Sequence, residues 1–191
     1  ADLINPNTSV LDIGCSQGDL LHCLKTEKSC KVQGIEIEYD SILKCMEKSI
    51  PVVQHDIELG LPAIPDNFYD YVVLSQTLQV LFEPHKVLSE VMRISRTVIV
   101  TFPNFAHYAV RSYLFFRGLM PKVKFLPYEW YNTPNIHLIT VKDFEMYCEK
   151  EGVKIHQRIF LSRKSISDPK KKLLQYFPNL FAQHGIYVIS K

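Results

Sequence analysis

The chain has 191 residues, 47% of them hydrophobic, with 22 Lys and Arg against 20 Asp and Glu for a net charge of +2. That length suits one domain with a full core, and the near balance leaves no long-range field to gather nucleic acid or an anionic membrane. No apolar run approaches the ~18 residues a spanning helix needs and no charged-then-apolar leader opens the chain, so a single cytoplasmic domain over 1–191 is expected.

The first element is an apolar strand near 9–13 that runs into a glycine turn, Val10-Leu11-Asp12-Ile13-Gly14-Cys15-Ser16-Gln17-Gly18. Glu36 follows eighteen residues after Gly18, at the end of a second strand near 31–37. A dinucleotide fingerprint needs glycines spaced G-x-G-x-x-G so that amides can approach a pyrophosphate, and here Ser16 and Asp19 hold the second and third positions. A P-loop needs Gly-Lys-Ser/Thr, which is absent. S-adenosylmethionine carries a ribose and an adenine but no phosphate, so a turn with fewer exposed amides and an acid for the ribose hydroxyls would suffice. The plainer alternative is that Gly14 and Gly18 only end a strand and start a helix. Cys15, inside the turn, reads as a small residue filling tight space, with a reactive thiol as the less favoured reading.

Val52-Val53-Gln54-His55-Asp56 reads as a third strand, near 51–54, ending in an acid; a fourth and a fifth follow near 69–75 and 95–102. Helical patterns near 18–26, 40–48 and 84–94 lie between them, and this βαβ alternation predicts a parallel sheet with right-handed crossovers. Pro84 suits a first helical turn, and Val87, Leu88, Val91 and Met92 recur on one face. Acids at the carboxyl ends of successive strands point at one crevice, where open parallel sheets bind ligands.

The stretch from Phe102 to Tyr131 breaks the alternation and holds ten of the chain's twenty-two Phe, Tyr and Trp residues. It reads as an aromatic insertion over about 103–138. Asn104 is expected to cap a helix running to about Arg117, with Gly118 as its stop, followed by extended loop through Pro134. Such a cap beside the crevice could shape a pocket or serve as an interface, and both readings stay open. Thr140-Val141-Lys142-Asp143 resembles a capping box opening a helix that Gly152 ends, with Phe144, Tyr147 and Cys148 inward. Strands near 153–161 and 184–190 close the chain. Between them, 162–178 reads as a mobile polar loop with a solvated Lys170-Lys171-Lys172 run, an Asp168-Pro169 turn and a short helix around Leu173-Leu174. Five cysteines without a C-x-x-C pair, and seven histidines without H-x-H or H-E-x-x-H spacing, indicate neither a disulfide framework nor a metal site.

Together, Asp12-Ile13-Gly14-x-x-x-Gly18, Glu36, Asp56 and the run Asp70 to Gln79 resemble a class I S-adenosylmethionine-dependent methyltransferase. More narrowly, Leu74-Ser75-Gln76-Thr77-Leu78-Gln79, Phe102-Pro103-Asn104-Phe105, Leu126-Pro127-Tyr128 and Trp130-Tyr131-Asn132-Thr133-Pro134-Asn135-Ile136-His137-Leu138 are similar to the MetW family of methionine biosynthesis proteins, over nearly the whole chain. The resemblance implies an α/β, Rossmann-like fold with a seven-stranded, mostly parallel sheet, a reversed last strand and helices on both faces. It also implies a link to the homoserine O-acyltransferase (MetX-type) step, with the acyltransferase as partner. S-adenosylmethionine or S-adenosylhomocysteine would be the cofactor, with Asp12 and Gly14 at the methionine end and Glu36 on both ribose hydroxyls. Asp56 would accept from the adenine amino group, and Ile37 and Ile57 would sandwich the ring. Cys15, Ser16 and Gly18 of the turn and Ser75 after the fourth strand complete the implied set. Ser16 departs from the glycine common in methyltransferases.

A methyltransferase acting on oxygen or nitrogen often needs a base. His137 is the best candidate, with Tyr131 and Tyr128 nearby, although a histidine bonded to backbone and holding its loop is the plainer expectation. The Asn-Pro-Pro-Tyr motif of amino-methylating enzymes is absent. Three readings result: a methyltransferase on a small metabolite or protein acceptor, a subunit that activates the acyltransferase and reports S-adenosylmethionine, or a scaffold with a vestigial site.

Overall fold

The apolar run Ser9–Ile13 forms β1, an interior strand of a sheet covered on both faces. Leu11 and Ile13 enter one core with Val72, Leu74, Val98 and Val100, while Val10 enters a second with Leu24, Cys30, Val73 and Ile99. Burial on both faces is why these strands read as continuous apolar runs instead of alternating ones. The structure is a computed structural model and describes residues 1–162 and 174–191. The other strands are β2 (Lys31–Glu36), β3 (Val52–Gln54), β4 (Tyr69–Ser75), β5 (Ser95–Pro103), β6 (Lys154–Leu161) and β7 (His184–Ser190). They lie in the order β3-β2-β1-β4-β5-β7-β6. β1 to β5 pair in parallel, and β7 runs antiparallel to both β5 and β6. This is the seven-stranded sheet with a reversed last strand that the resemblance implies.

The helices are α1 (Asp19–Lys28), α2 (Tyr39–Glu47), α3 (Pro84–Ile94), α4 (Tyr108–Arg117) and α5 (Val141–Lys150). α3 begins on Pro84 and buries Val87, Leu88, Val91 and Ile94 against the sheet, with Met92 at the edge of the same core. α5 buries Phe144 and Cys148 on that face. α1 and α2 supply Leu21 and Cys45 to a third cluster with Cys15 and Ile50. Thr140 caps α5: its Oγ1 accepts from the Asp143 amide at 3.1 Å and its hydroxyl donates to the Asp143 carboxylate at 2.7 Å. With an acid one methylene shorter than Glu, that contact stands in for the usual reach back to the cap amide. Among the described residues no helix is long and apolar enough to cross a membrane.

One capping expectation is corrected. Asn104 does not cap α4, which starts at Tyr108 with His107 Nδ1 accepting from the Ala109 amide at 3.2 Å. Burial lowers the His107 pKa, which keeps the ring neutral and its nitrogen free to accept. Asn104 is fully buried and its side chain is used elsewhere. Nδ2 donates to Ala182 O (2.8 Å) and Asn179 O (3.1 Å), and Oδ1 accepts from the amides of Ala106 (3.1 Å) and Val141 (3.3 Å). It ties the end of β5 to the start of α5 and to the helical turn Pro178–Phe181. Gly118 does stop α4, in a left-handed conformation at φ 61°. The Lys170 run, the Asp168-Pro169 turn and Leu173 fall outside the described residues, and 174–176 are helical.

Asn104→Ala would leave four backbone groups without their partner, at about 1–3 kcal/mol for each that stays buried and unmet. We expect urea unfolding to show a loss of about 3 kcal/mol or more, far above the effect of an exposed Asn→Ala control such as Asn132→Ala.

Candidate functional site

β1, β2 and β3 end side by side at one edge of the sheet, and β1 also pairs with β4. The direction of strand addition reverses between β1 and β4, so the crevice beyond their carboxyl ends is the place where open sheets bind ligands. Gly14 lies just past β1 at φ 70°, and a Cβ there would fall 2.9 Å from Thr77 Oγ1. That Thr77 hydroxyl donates to Ile13 O at 2.8 Å, so the segment after β4 is pinned against the glycine turn. Ser16 also sits in the left-handed region, at φ 48°, which glycine takes freely and an L residue takes at a cost of roughly 1–2 kcal/mol.

What holds Ser16 there is Glu36. Its Oε2 accepts from the Ser16 amide at 2.8 Å, and its Oε1 accepts from the amides of Ile37 (2.8 Å) and Glu38 (3.1 Å). Gly14 and Cys15 donate their amides to Ile35 O (2.8 and 3.2 Å), and Gly18 donates to Cys15 O (2.9 Å). These are amides a phosphate would need, and all are engaged. The crevice is instead lined with acceptors and negative charge, which suits a cationic ligand rich in hydroxyl and amino donors.

Asp12, two residues before Gly14, is 3% exposed, and its Oδ1 has no hydrogen-bond partner among the described residues. Burial, reinforced by the Glu36 charge, pushes its carboxyl up to about 7. Asp56 follows β3 and accepts from the Glu58 amide at 3.0 Å, capping the helical turn Ile57–Leu59. Ile37 is an exposed apolar side chain at 61%, whereas Ile57 packs into the main core and offers little surface. Ser75 is exposed at the end of β4. Cys15 is buried with its Sγ 3.9 Å from that of Cys45, and burial lifts its thiol far above the ordinary range, so it is an inert filler. Gly18 leads straight into α1. Among the described residues there is no cluster of three or more His, Cys, Asp or Glu fit to hold a metal.

His137 Nε2 lies 3.3 Å from Phe82 O, while the amides of Ile136 and His137 both donate to Gln79 O (2.9 and 3.0 Å). The histidine therefore sits where the 103–138 insertion, hereafter the lid, docks on the segment after β4. Tyr131 and Tyr128 are largely exposed. Two residues near the crevice had no assigned role from sequence: Thr77, described above, and Gln79. Gln79 is 4% exposed, its Nε2 donates to Gln76 O at 2.6 Å, and its Oε1 is a second buried acceptor without a donor among the described residues. The signal was available in the run of polar residues directly after a strand end, Ser75-Gln76-Thr77 and then Gln79.

The strand order, the reversed β7 and the acid-lined crevice define a Rossmann-like fold of the class I methyltransferase type. An S-adenosylmethionine-dependent methyltransferase from Archaeoglobus fulgidus has a TM-score of 0.61 and 22% identity, over 96% of this chain and 86% of that one. The plantazolicin methyltransferase BpumL, solved with S-adenosylhomocysteine, gives 0.63 and 17% over 96% and 76%. The (4+2)-cyclase SpnF gives 0.67 and 14% over 99% and 77%, so the fold by itself does not fix the reaction. The family profile described as methionine biosynthesis protein MetW matches residues 1–189, and the chain belongs to that family. The bifunctional methionine biosynthesis protein MetXA/MetW of Rhodopirellula baltica is 31% identical over 168 residues, 83% of this chain. The chain spans about a quarter of that relative's length (27%).

Asp12 gives the site a pH signature. Its folded pKa stands above the unfolded carboxylate value, so the protonated form is favoured by folding, and stability falls as pH rises through about 7. Asp12→Asn should melt higher than the parent at pH 8, with the gap closing towards pH 4–5. An equal gap at both pH values in thermal melts would contradict the buried, unpaired carboxyl.

Proposed function

We propose that this chain binds S-adenosylmethionine or S-adenosylhomocysteine in the strand-end crevice and acts as partner and activator of the homoserine O-acyltransferase of methionine synthesis, in the cytoplasm. The observation that carries the partnership is the Rhodopirellula baltica relative, in which MetXA and MetW are named as one bifunctional chain. Domains on one polypeptide meet at high effective concentration. Where the two are separate chains, a surface has to supply what the linker supplies there.

The residues of the crevice fit the cofactor. Asp12, with an orphaned buried oxygen beside Gly14, suits the cationic methionine end. Glu36 accepts one amide on Oε2 and two on Oε1, and the further lone pair on Oε2 suits a ribose hydroxyl. Asp56 suits the adenine amino group, and the exposed Ile37 a face of the ring. When bound, the cofactor supplies a methyl group on a sulfonium. The protein's own contribution is to orient it and to place its charge between two acids. Occupancy has a short route to the lid, because Thr77 touches the glycine turn and Gln79, two residues on, carries the lid through Ile136 and His137. S-adenosylmethionine lies downstream in the same synthesis, so binding it would let product level set partner activity. That requires different cofactor affinities in the free and complexed states.

The test is the homoserine acylation rate of the same cell's acyltransferase, purified alone and with this chain, each with and without S-adenosylmethionine. We expect a several-fold rise on adding the chain and a further change with cofactor. Glu36→Ala should weaken cofactor binding tenfold or more in calorimetry, since charge-assisted bonds are worth about 1.5–3 kcal/mol each, and should erase the cofactor response. No change in rate under any condition would sink the partnership and turn attention to methyl transfer onto a small metabolite or protein acceptor.

A further inference from the structure

Among the described residues α4 is sparsely packed, its Tyr108 ring meeting that of Phe181 at 5.9 Å. Of its ten residues only Val110 is buried, while Leu114, Phe115 (81% exposed) and Phe116 (80%) stand in solvent. A ten-residue helix gains too little from its own hydrogen bonds to be stable, and packing normally makes up the difference. The exposed apolar surface continues past Gly118 through Leu119, Met120, Tyr128, Trp130 (73%) and Tyr131. Exposed patches of this kind on a folded chain mark contact surfaces.

The patch has a shape and a charge. Met120, Tyr128, Trp130 and Leu138 border an open hollow of about 90 Å³ floored by Phe105 and Leu126. Small-molecule sites run to ≈ 300–1,000 Å³, so this hollow falls below the usual size of a ligand site. It matches a single large side chain, the kind of anchor that dominates binding energy at protein interfaces. From Val91 to Tyr128 the sequence contains no Asp or Glu, while Arg111, Arg117, Lys122 and Lys124 lie along α4 and the loop after it. The charges that this segment brings to the patch are therefore basic, and among the described residues Lys122 pairs with Glu129.

We infer that α4 and this hollow form the surface on which the homoserine O-acyltransferase docks, with an apolar side chain of that enzyme in the hollow and its carboxylates facing the basic rim. The inference rests on the partnership proposed above. A second copy of this chain would bring the same basic rim against itself, which argues against self-association. A lipid surface accepts aromatic and basic residues but has no side chain to seat in a shaped hollow, and the fused MetXA/MetW relative names a protein partner.

Phe115→Ser with Phe116→Ser removes the helix face, and Trp130→Ala opens the hollow. All three residues are mostly solvent-exposed, so folding, checked by circular dichroism, should be kept. In calorimetry against the purified acyltransferase, each variant should bind at least tenfold more weakly than the parent, with parent and variants alike weakened at high salt as the basic rim is screened. If the parent binds and both variants bind within twofold of it, this surface is wrong although the partnership stands. If the parent itself does not bind, the partnership falls and the surface assignment with it. Sedimentation showing a parent dimer that the variants lose, or flotation with phosphatidylserine vesicles that the variants lose, each with unchanged acyltransferase affinity, would overturn the inference in favour of self-association or a membrane.

Discussion

The carboxylate of Glu36 makes one site out of two separate pieces of chain. It reaches from the end of β2 to the Ser16 amide on the turn after β1, and with its other oxygen it gathers the amides of Ile37 and Glu38. A charged acceptor on three amides offsets the left-handed strain of Ser16, which no hydrogen bond within the turn could do alone. The same contacts use up donors that a phosphate would seek. Holding the turn shut and choosing the ligand class are therefore a single physical act.

The lid is anchored on the other side of the crevice by similar means. Asn104 ties β5 to α5 and to the turn at Pro178–Phe181, and Gln79 takes the two lid amides of Ile136 and His137. Between these anchors the chain from 108 to 135 is tied down through the buried Leu126 and through Phe125 against His107 and His184, while most of its aromatic side chains are exposed. Exposed rings cost solubility, so a protein that keeps them gains something from the contact they make. The small, open hollow on the lid fits the interface reading, on which the proposed partnership rests, better than a deep ligand pocket.

The parallel sheet was legible because its strands are buried on both faces and leave unbroken apolar runs, as Val10-Leu11-Asp12-Ile13 and Val72-Val73-Leu74 do. The capping box at Thr140 was legible because its contacts are local. Asn104 was misread for the opposite reason: four residues before a helix it looks like a cap, but its partners Asn179 and Ala182 lie more than seventy positions away. Asp12 was visible as an acid on a strand end, but its raised pKa needed the depth of burial and the nearness of Glu36. Gln79 was hidden because an amide's unmet acceptor is a fact of three dimensions.

The two acids also explain why occupancy of the crevice would matter to the rest of the chain. Asp12 is pushed up by burial first and by Glu36 second, so without a ligand the pair carries an electrostatic cost near neutral pH. A cation placed between them relieves that cost, whereas a neutral ligand of the same shape relieves less of it. On the proposed reading, S-adenosylmethionine and S-adenosylhomocysteine would differ here by the positive charge and the methyl group of the sulfonium. On that reading the contact able to pass such a difference on is the Thr77 hydroxyl bonded to Ile13 O beside Gly14, where the packing is tight. The segment that moves with Thr77 is the one whose Gln79 carbonyl carries the lid. A ligand read by charge at one end of this short path is thus placed to alter the exposed face at the other.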